Sequence, residues 1–582
     1  MKISVPHPTG RQGRAAKRPI AVAVMLGLAL CVGGCFGGSE EGGSDGAAVE
    51  GASSVGDPVP PVTILGPSPS YDASQNESLK LLVDGMAELG IEASIEGTPD
   101  YGTFAEASAA HEYGIASAGY VGTPARLEPS ELMGPGFLCD LEETNFAGYC
   151  SEAYDEAFAQ IQGTMDEDAR HDLVDEGQQM LADDLPMVTM YYPSSPEMYN
   201  SSLVSGAVLA RASGFFNFWT FHDAEPNAAD GLLTVGHASR GIPMNPMCNA
   251  SGGFTELEYQ LMIFEPLTRV DKDGAVVNWA ADSIEQTDDT TLTVKLRDDL
   301  EFTDGKPVTA EDVAFTYNYM KEWKVALYTA ILDRIESVRA VDPQTVEFKL
   351  TEPYAPFLFQ SSQIGIMPKH VWDGVVEREN LKTPCEWENP DLTGSGPYKF
   401  VEYKPRQRLR LERNDAHFDP PAAKGLVQRY YASTQSLFLD LLAGNVQFHG
   451  NAPSFTPTQV EEAEANEDLT VEIVPSITVR WIAFNMRDGS PFQDYPLRKA
   501  VSHVIDYPTI VDGLLRGQGE PGAGVISPYN ELWHNAEAEW PQYDVEAAKQ
   551  TLADAGYGWD DSGKLHFPAN HTPQEFGDGA GS

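Results

Sequence analysis

Polar and apolar positions first alternate in an ordered way at Val62-Thr63-Ile64-Leu65, which predicts a short strand. Leu79, Leu82, Met86 and Leu89 then recur at helical spacing, and Gly90 stands where a helix cap belongs. Ile91 to Ile95 alternates as a strand and Tyr113 to Tyr120 reads as another, so the opening grammar is β-α-β. Asp166 to Asp183 is an amphipathic helix, and Met187 to Tyr192 reads as a buried strand. A polar connector with a proline, Asp223 to Asp230, precedes a new strand at Leu232 to Gly236. Alternation returns at Thr291–Leu296 and Thr345–Leu350. Thr309 and Asp312 have capping-box spacing ahead of a helix over Val313 to Trp323. A late helix, Asp544 to Ala555, ends at Gly556.

The first sixty residues follow a different rule. Lys2, Arg11, Arg14, Lys17 and Arg18 precede an apolar run from Ile20 to Leu30 that is too short to span a bilayer. The run closes on Val32-Gly33-Gly34-Cys35, small residues before a cysteine, which resembles a lipobox with Cys35 lipidated. Residues 1–34 are then a signal peptide. Residues 35–60, rich in Gly, Ser, Glu and Ala, form a flexible stalk. Export places the remaining cysteines in an oxidising compartment. Cys139 and Cys150 flank a short polar loop and are expected to pair; Cys248 with Cys385 follows by elimination.

With 582 residues the chain can build two lobes with separate cores. It carries 38 Lys plus Arg against 87 Asp plus Glu, a formal charge of −49. Nucleic acid and anionic lipid surfaces both need cationic patches, so neither is an expected partner. No catalytic or metal signature is found: no HExxH, no GxSxG, no Walker loop, and His residues without ligand spacing. Asp271-Lys272-Asp273-Gly274 begins like a calcium loop, but Ala275 stands where the next oxygen is required, so it reads as a hairpin turn. No cofactor is expected.

The segment Leu292 to Met320, LTVKLRDDLEFTDGKPVTAEDVAFTYNYM, resembles the signature of family 5 extracellular solute-binding proteins of ABC importers, the dipeptide, oligopeptide and nickel binders. Phe264 to Leu267, Ile366 to His370, Gly394 to Tyr398, Ala483 to Asn485, Pro491 to Asp506 and Tyr543 to Tyr557 match in the family's order. Residues 61 to 221 resemble the family's late part, although they come first. Asn145 to Tyr154, Leu185 to Tyr192 and Phe216 to Trp219 carry that likeness. The resemblance implies a two-lobed α/β periplasmic-binding-protein-like fold of type II, cluster-C-like, with an extra subdomain, circularly permuted. Its segments are a distal lobe (61–185 and 478–570), a first lobe (186–222, 231–270 and 394–477), the connector 223–230, the extra subdomain 271–393 and a frayed tail 571–582.

The resemblance also implies a function without bond chemistry. A monomer, held at the membrane only by lipid, captures a peptide or peptide-like solute between its lobes and delivers it to an ABC permease and ATPase. A ligand-binding sensor or chaperone-like lipoprotein on the same fold is the alternative, with the product of a rearranged gene a further one and a secreted hydrolase the remotest. Gly119 and Tyr120 take the place of the family's cleft-lining Gly-Trp. Trp481, Phe484 and Asn485 lie on a second cleft strand, and Asn245 on a pocket-edge loop. The chain lacks the Asp that dipeptide binders carry after Gly-Trp, having Val121 to Arg126 there. Glu128 falls at a structural position. The Arg that meets the ligand carboxylate is replaced by Gly66 to Ser70. A zwitterionic dipeptide would leave a buried charge unpaired, so a longer peptide or another solute is expected.

Overall fold

The computed structural model describes residues 55–141, 144–238, 244–249, 254–450 and 455–577. The signal segment, Cys35 and the stalk up to residue 54 lie outside them.

The β-α-β opening forms as the pattern predicts. Val62–Pro67, Ala93–Thr98 and Ile115–Tyr120 are parallel neighbours, joined by the helices Ala73–Glu88 and Tyr101–Ser108, because parallel strands need a crossover. Asp72 caps the first helix by accepting the Gln75 N–H. Leu79, Leu82 and Met86 bury its inner face. Gly90, at φ +79°, ends it with the left-handed turn that glycine adopts without strain. The sheet continues through Val479–Phe484, antiparallel to Ile115–Tyr120. One hydrophobic core therefore takes side chains from both the early chain (Val59 to Tyr192) and the late chain (Val479 to Leu565).

The strand Met187–Asn200 is the spine of the molecule. Its first half pairs with Val479–Phe484 and Gly519–Pro521 in the distal lobe. Its second half pairs with Leu469–Pro475 and meets Phe448 in the first lobe. The first lobe adds Leu232–His237, Gly425–Tyr430, Arg408–Arg413 and Tyr398–Lys404 to the same twelve-stranded sheet. The lobe boundary thus falls at Pro193–Ser194, later than the expected 186. Among the described residues the chain passes between lobes only here and at 475–478. The extra subdomain packs helix Ala310–Glu322 over a four-stranded antiparallel sheet with its own core. Thr309 and Asp312 form the capping box. The sequence Asp271 to Gly274 is the turn between Thr268–Val270 and Val276–Asn278, where Asp271 Oδ1 accepts the N–H groups of Asp273 and Ala275 at 2.9 Å.

Two expectations need correction at the chain ends. The stalk does not run to residue 60: Val55–Pro58 is a strand paired with Leu565–Pro568, and Val59 is buried beneath it. The register joins Val55 to Pro568, and Val59 N–H donates to Leu565 O at 2.9 Å. The tail does not fray at 571. Gln574 N–H donates to Asp494 Oδ1 at 2.8 Å, Gly577 N–H to Asp184 Oδ1 at 3.3 Å, and Phe576 packs edge-on against Tyr149. Buried carboxylates that need donors hold this segment down.

Both expected disulfides are formed in the structure. Cys139–Cys150 closes a short loop of the distal lobe, and Cys248–Cys385 ties the first lobe's edge to the end of the extra subdomain.

Candidate ligand cleft between the lobes

The lobes are closed on each other. Leu127 of the distal lobe, Phe359 of the extra subdomain and Ile477 of the second crossing form one apolar cluster. Arg211 donates to Glu531 Oε2 at 2.8 Å and to Tyr529 O across the gap. Gln360 reaches Glu131 at 3.3 Å, and Ala355 N–H donates to Gln162 O at 2.7 Å.

Three chambers lie in series along this seam. The central one, about 440 Å³, is lined by both crossings (Pro193 to Glu197, Val474 to Thr478) and by residues of both lobes, among them Gly122, Ser213, Phe455 and Tyr529. It shares Val121 and Arg480 with a chamber of about 400 Å³ in the distal lobe, walled by Asp72, Gln75, Tyr101, Phe104 and Gly119. At the other side it shares Ala210 and Ser213 with a chamber of about 150 Å³. There, Thr123 to Leu127 form the roof, Phe218, Trp219, Glu258 and Arg269 the first-lobe wall, and Leu327 and Ser362 the subdomain wall.

Charge is unevenly distributed along the trough. Glu197 is buried at the first-lobe face of the central chamber, which raises its pKa above the ordinary carboxylate value; His449 and the Phe215 N–H oppose the rise. Gly214, at φ +59°, permits that fit, since a Cβ there would stand 2.0 Å from the Glu197 carboxylate. Arg480, half-buried where two chambers meet, pairs with Asp72 at 3.1 Å. In the smallest chamber Arg269 lies 3.6 Å over the Phe218 ring and donates to Glu265 at 2.9 Å.

The residues singled out from sequence divide clearly. Gly119 lines the distal chamber, and a Cβ on it would stand 2.5 Å from Val479 O, so the close approach of the two strands requires glycine. Tyr120 is next to it, with Arg126 over its ring at 5.1 Å and burial pushing its pKa up to about 12. Trp481 is buried behind them, between Tyr120 and Phe146, its Nε1 without a hydrogen-bond partner among the described residues. Phe484 and Asn485 are not at the cleft. Phe484 is wholly buried against Phe492, and Asn485 spends its side-chain donors on the carbonyls of His111 and Tyr113. Asn245 is likewise committed: it donates to Pro384 O and Trp387 O and accepts the Met247 N–H, fixing the loop around the second disulfide. Such amides have little capacity left for a ligand. Glu128 is structural, held by Arg170 in a buried bidentate pair.

Glu197, Arg480, Ser213, Tyr529 and Glu258 are cleft residues that the sequence reading missed. The segment Pro193-Ser194-Ser195-Pro196 is the signal that could have marked the place, because two prolines inside a strand point to a change of pairing. No metal-binding group of His, Cys, Asp and Glu occurs among the described residues, and no described helix is long and apolar enough to cross a membrane.

The profile of bacterial extracellular solute-binding proteins, family 5 middle, matches residues 275–577. The chain belongs to that family. A family 5 chain is extracytoplasmic, which fits the disulfides. A putative ABC transporter peptide-binding protein of Brucella ovis is 29% identical over 370 residues, 62% of this chain and 66% of that protein. The oligopeptide-binding protein AppA of Bacillus subtilis is 28% identical over 335 residues, 56% of this chain and 60% of the relative. AppA solved with a nonapeptide aligns with a TM-score of 0.41 at 25% identity, over 57% of this chain and 65% of that one. The family 5 chain described here spans just under two thirds of the length of the curated relatives it matches.

Proposed function

We propose that this protein captures a peptide or peptide-like solute in the trough between its lobes and presents the closed form to an ABC permease and ATPase. The observation that carries the reading is the trough itself. It is walled by both lobes and, among the described residues, crossed by two strand segments, so a solute touching both walls stabilises closure. The names of the relatives support a peptide class. Gly119 and Tyr120 form part of the distal wall, with Trp481 backing them. The protein acts as a monomer tethered by lipid on Cys35, which the lipobox-like sequence supports.

The same reading takes the chain as a circular permutant. What supports it is the distribution of the lobes along the sequence. The distal lobe is assembled from both ends of the chain, which pair as strands, while the first lobe and extra subdomain are continuous from 194 to 475. Within the connector 223–230, Glu225–Pro226 pairs with Val204–Ser205 and residues 227–230 form an exposed loop.

Thermal unfolding of the whole chain with and without pools of di- to octapeptides tests both parts. We expect one cooperative transition, raised by several degrees by at least one pool. A chain joined from 577 to 55 and reopened within 227–230 should melt within a few degrees of it. A cooperative transition that no pool moves would reject the peptide class. Failure of the reopened chain to fold would reject the permutation.

A further inference from the structure

Among the ionisable groups of the smallest chamber, one carboxylate stands apart. Arg211 is engaged by Glu531, Arg269 by Glu265 and Leu261 O, and Asp271 by the N–H groups of its own turn. Glu265 is shared further with His417 at 2.6 Å. Glu258, half-buried in the first-lobe wall, has no hydrogen-bond or ion-pair partner among the described residues. A carboxylate held out of water without a donor is unfavourable unless a cation arrives. The chamber is about 150 Å³, room for the end of a ligand rather than the whole, and it adjoins the central chamber, with Ala210 and Ser213 lining both.

Resting on the peptide reading above, we propose that Glu258 anchors a cationic nitrogen of the captured solute, an ammonium or guanidinium, with the remainder of the solute running along the central chamber. The anchor lies in the first-lobe wall and is closed over by the distal-lobe roof, so closure takes the charge pair out of water and strengthens it. That couples recognition of the cation to closure. It also supplies an amine anchor that the segment Val121 to Arg126 lacks.

Burial raises the Glu258 pKa to about 7, with Arg269 opposing the rise. Below that value the carboxyl is neutral and cannot pair, so the cationic ligand should bind more tightly at pH 8 than at pH 6.

The test uses the whole chain and two matched pools of tetra- to octapeptides without Lys or Arg, one with free amino termini and one N-acetylated. A third pool, N-acetylated but containing Lys, distinguishes a side-chain cation from a terminal one. At pH 8 the free-amine pool, the Lys pool or both should raise the unfolding midpoint. The acetylated Lys-free pool should have at least tenfold weaker apparent affinity. Glu258→Gln should remove that preference while unfolding as cooperatively as the wild type. Equal shifts by all three pools on the wild type overturn the anchor but leave the peptide reading intact. No shift by any pool rejects the peptide reading and the anchor with it. If Glu258→Gln does not fold, Glu258→Asp, which keeps the charge, should retain the preference, and a preference on the wild type that is as strong at pH 6 as at pH 8 overturns the anchor.

Discussion

Single side chains do most of the work of joining distant segments. Arg498 is fully buried and donates to the carbonyls of Asp184, Phe492 and Glu575, so one guanidinium holds a helix, the start of the bridging strand and the C-terminal segment. Burial lowers its pKa to about 10, and Asp184 and Asp494 oppose the fall, so it stays charged at neutral pH. Arg498→Met would leave several buried carbonyls without donors. We expect a loss of roughly 3–5 kcal/mol in urea unfolding and faster hydrogen exchange over 572–577. Unchanged exchange there would mean that Asp494 and Asp184 alone dock the segment. Glu258 behaves oppositely in the empty protein. Its folded pKa lies above the unfolded one, so its contribution is fully present below about pH 4.3. That contribution is lost as pH rises through about 7. Residue identities were legible in the sequence, but their surroundings were not. Asn245 and Asn485 looked available because a sequence does not show which carbonyls fold back onto an amide.

At the scale of elements, helices were the most legible. Leu79, Leu82 and Met86, and the Thr309–Asp312 box, state their structure locally, through spacing and capping. Two strands were illegible for the opposite reason. Val55–Pro58 has no alternating pattern, and Ser194–Asn200 follows a proline; each forms because a partner hundreds of residues away offers a free edge. The strand Val479–Phe484 shows why the site was only half readable: its apolar run marks a buried strand, but which face meets the trough depends on its neighbours. The disulfides act at this scale too. Cys248–Cys385 spans 137 residues and Cys139–Cys150 spans 11. On loop-closure entropy the first is worth about 5 kcal/mol and the second about 3. Cys248→Ser with Cys385→Ser should therefore lower the urea midpoint more than Cys139→Ser with Cys150→Ser. The reverse order would show that local strain or residual structure outweighs loop length.

For the whole molecule, the architecture is a clamp: two cores, an extra subdomain, and a trough whose walls belong to different lobes. Its two crossings converge at Pro193–Glu197 and Pro475–Thr478, so rotation there opens the seam without breaking either core. Leu127, Phe359 and Ile477, with the Arg211–Glu531 pair, are among the contacts that opening must separate. In the proposed clamp a solute touching both walls adds to these contacts and so favours the closed form. Binding and closure are one event in this proposal. Small-angle scattering of the whole chain, alone and saturated with a peptide pool that raises its unfolding midpoint, tests this most directly. The clamp predicts a smaller radius of gyration when the solute is bound. Binding with an unchanged radius of gyration would contradict it.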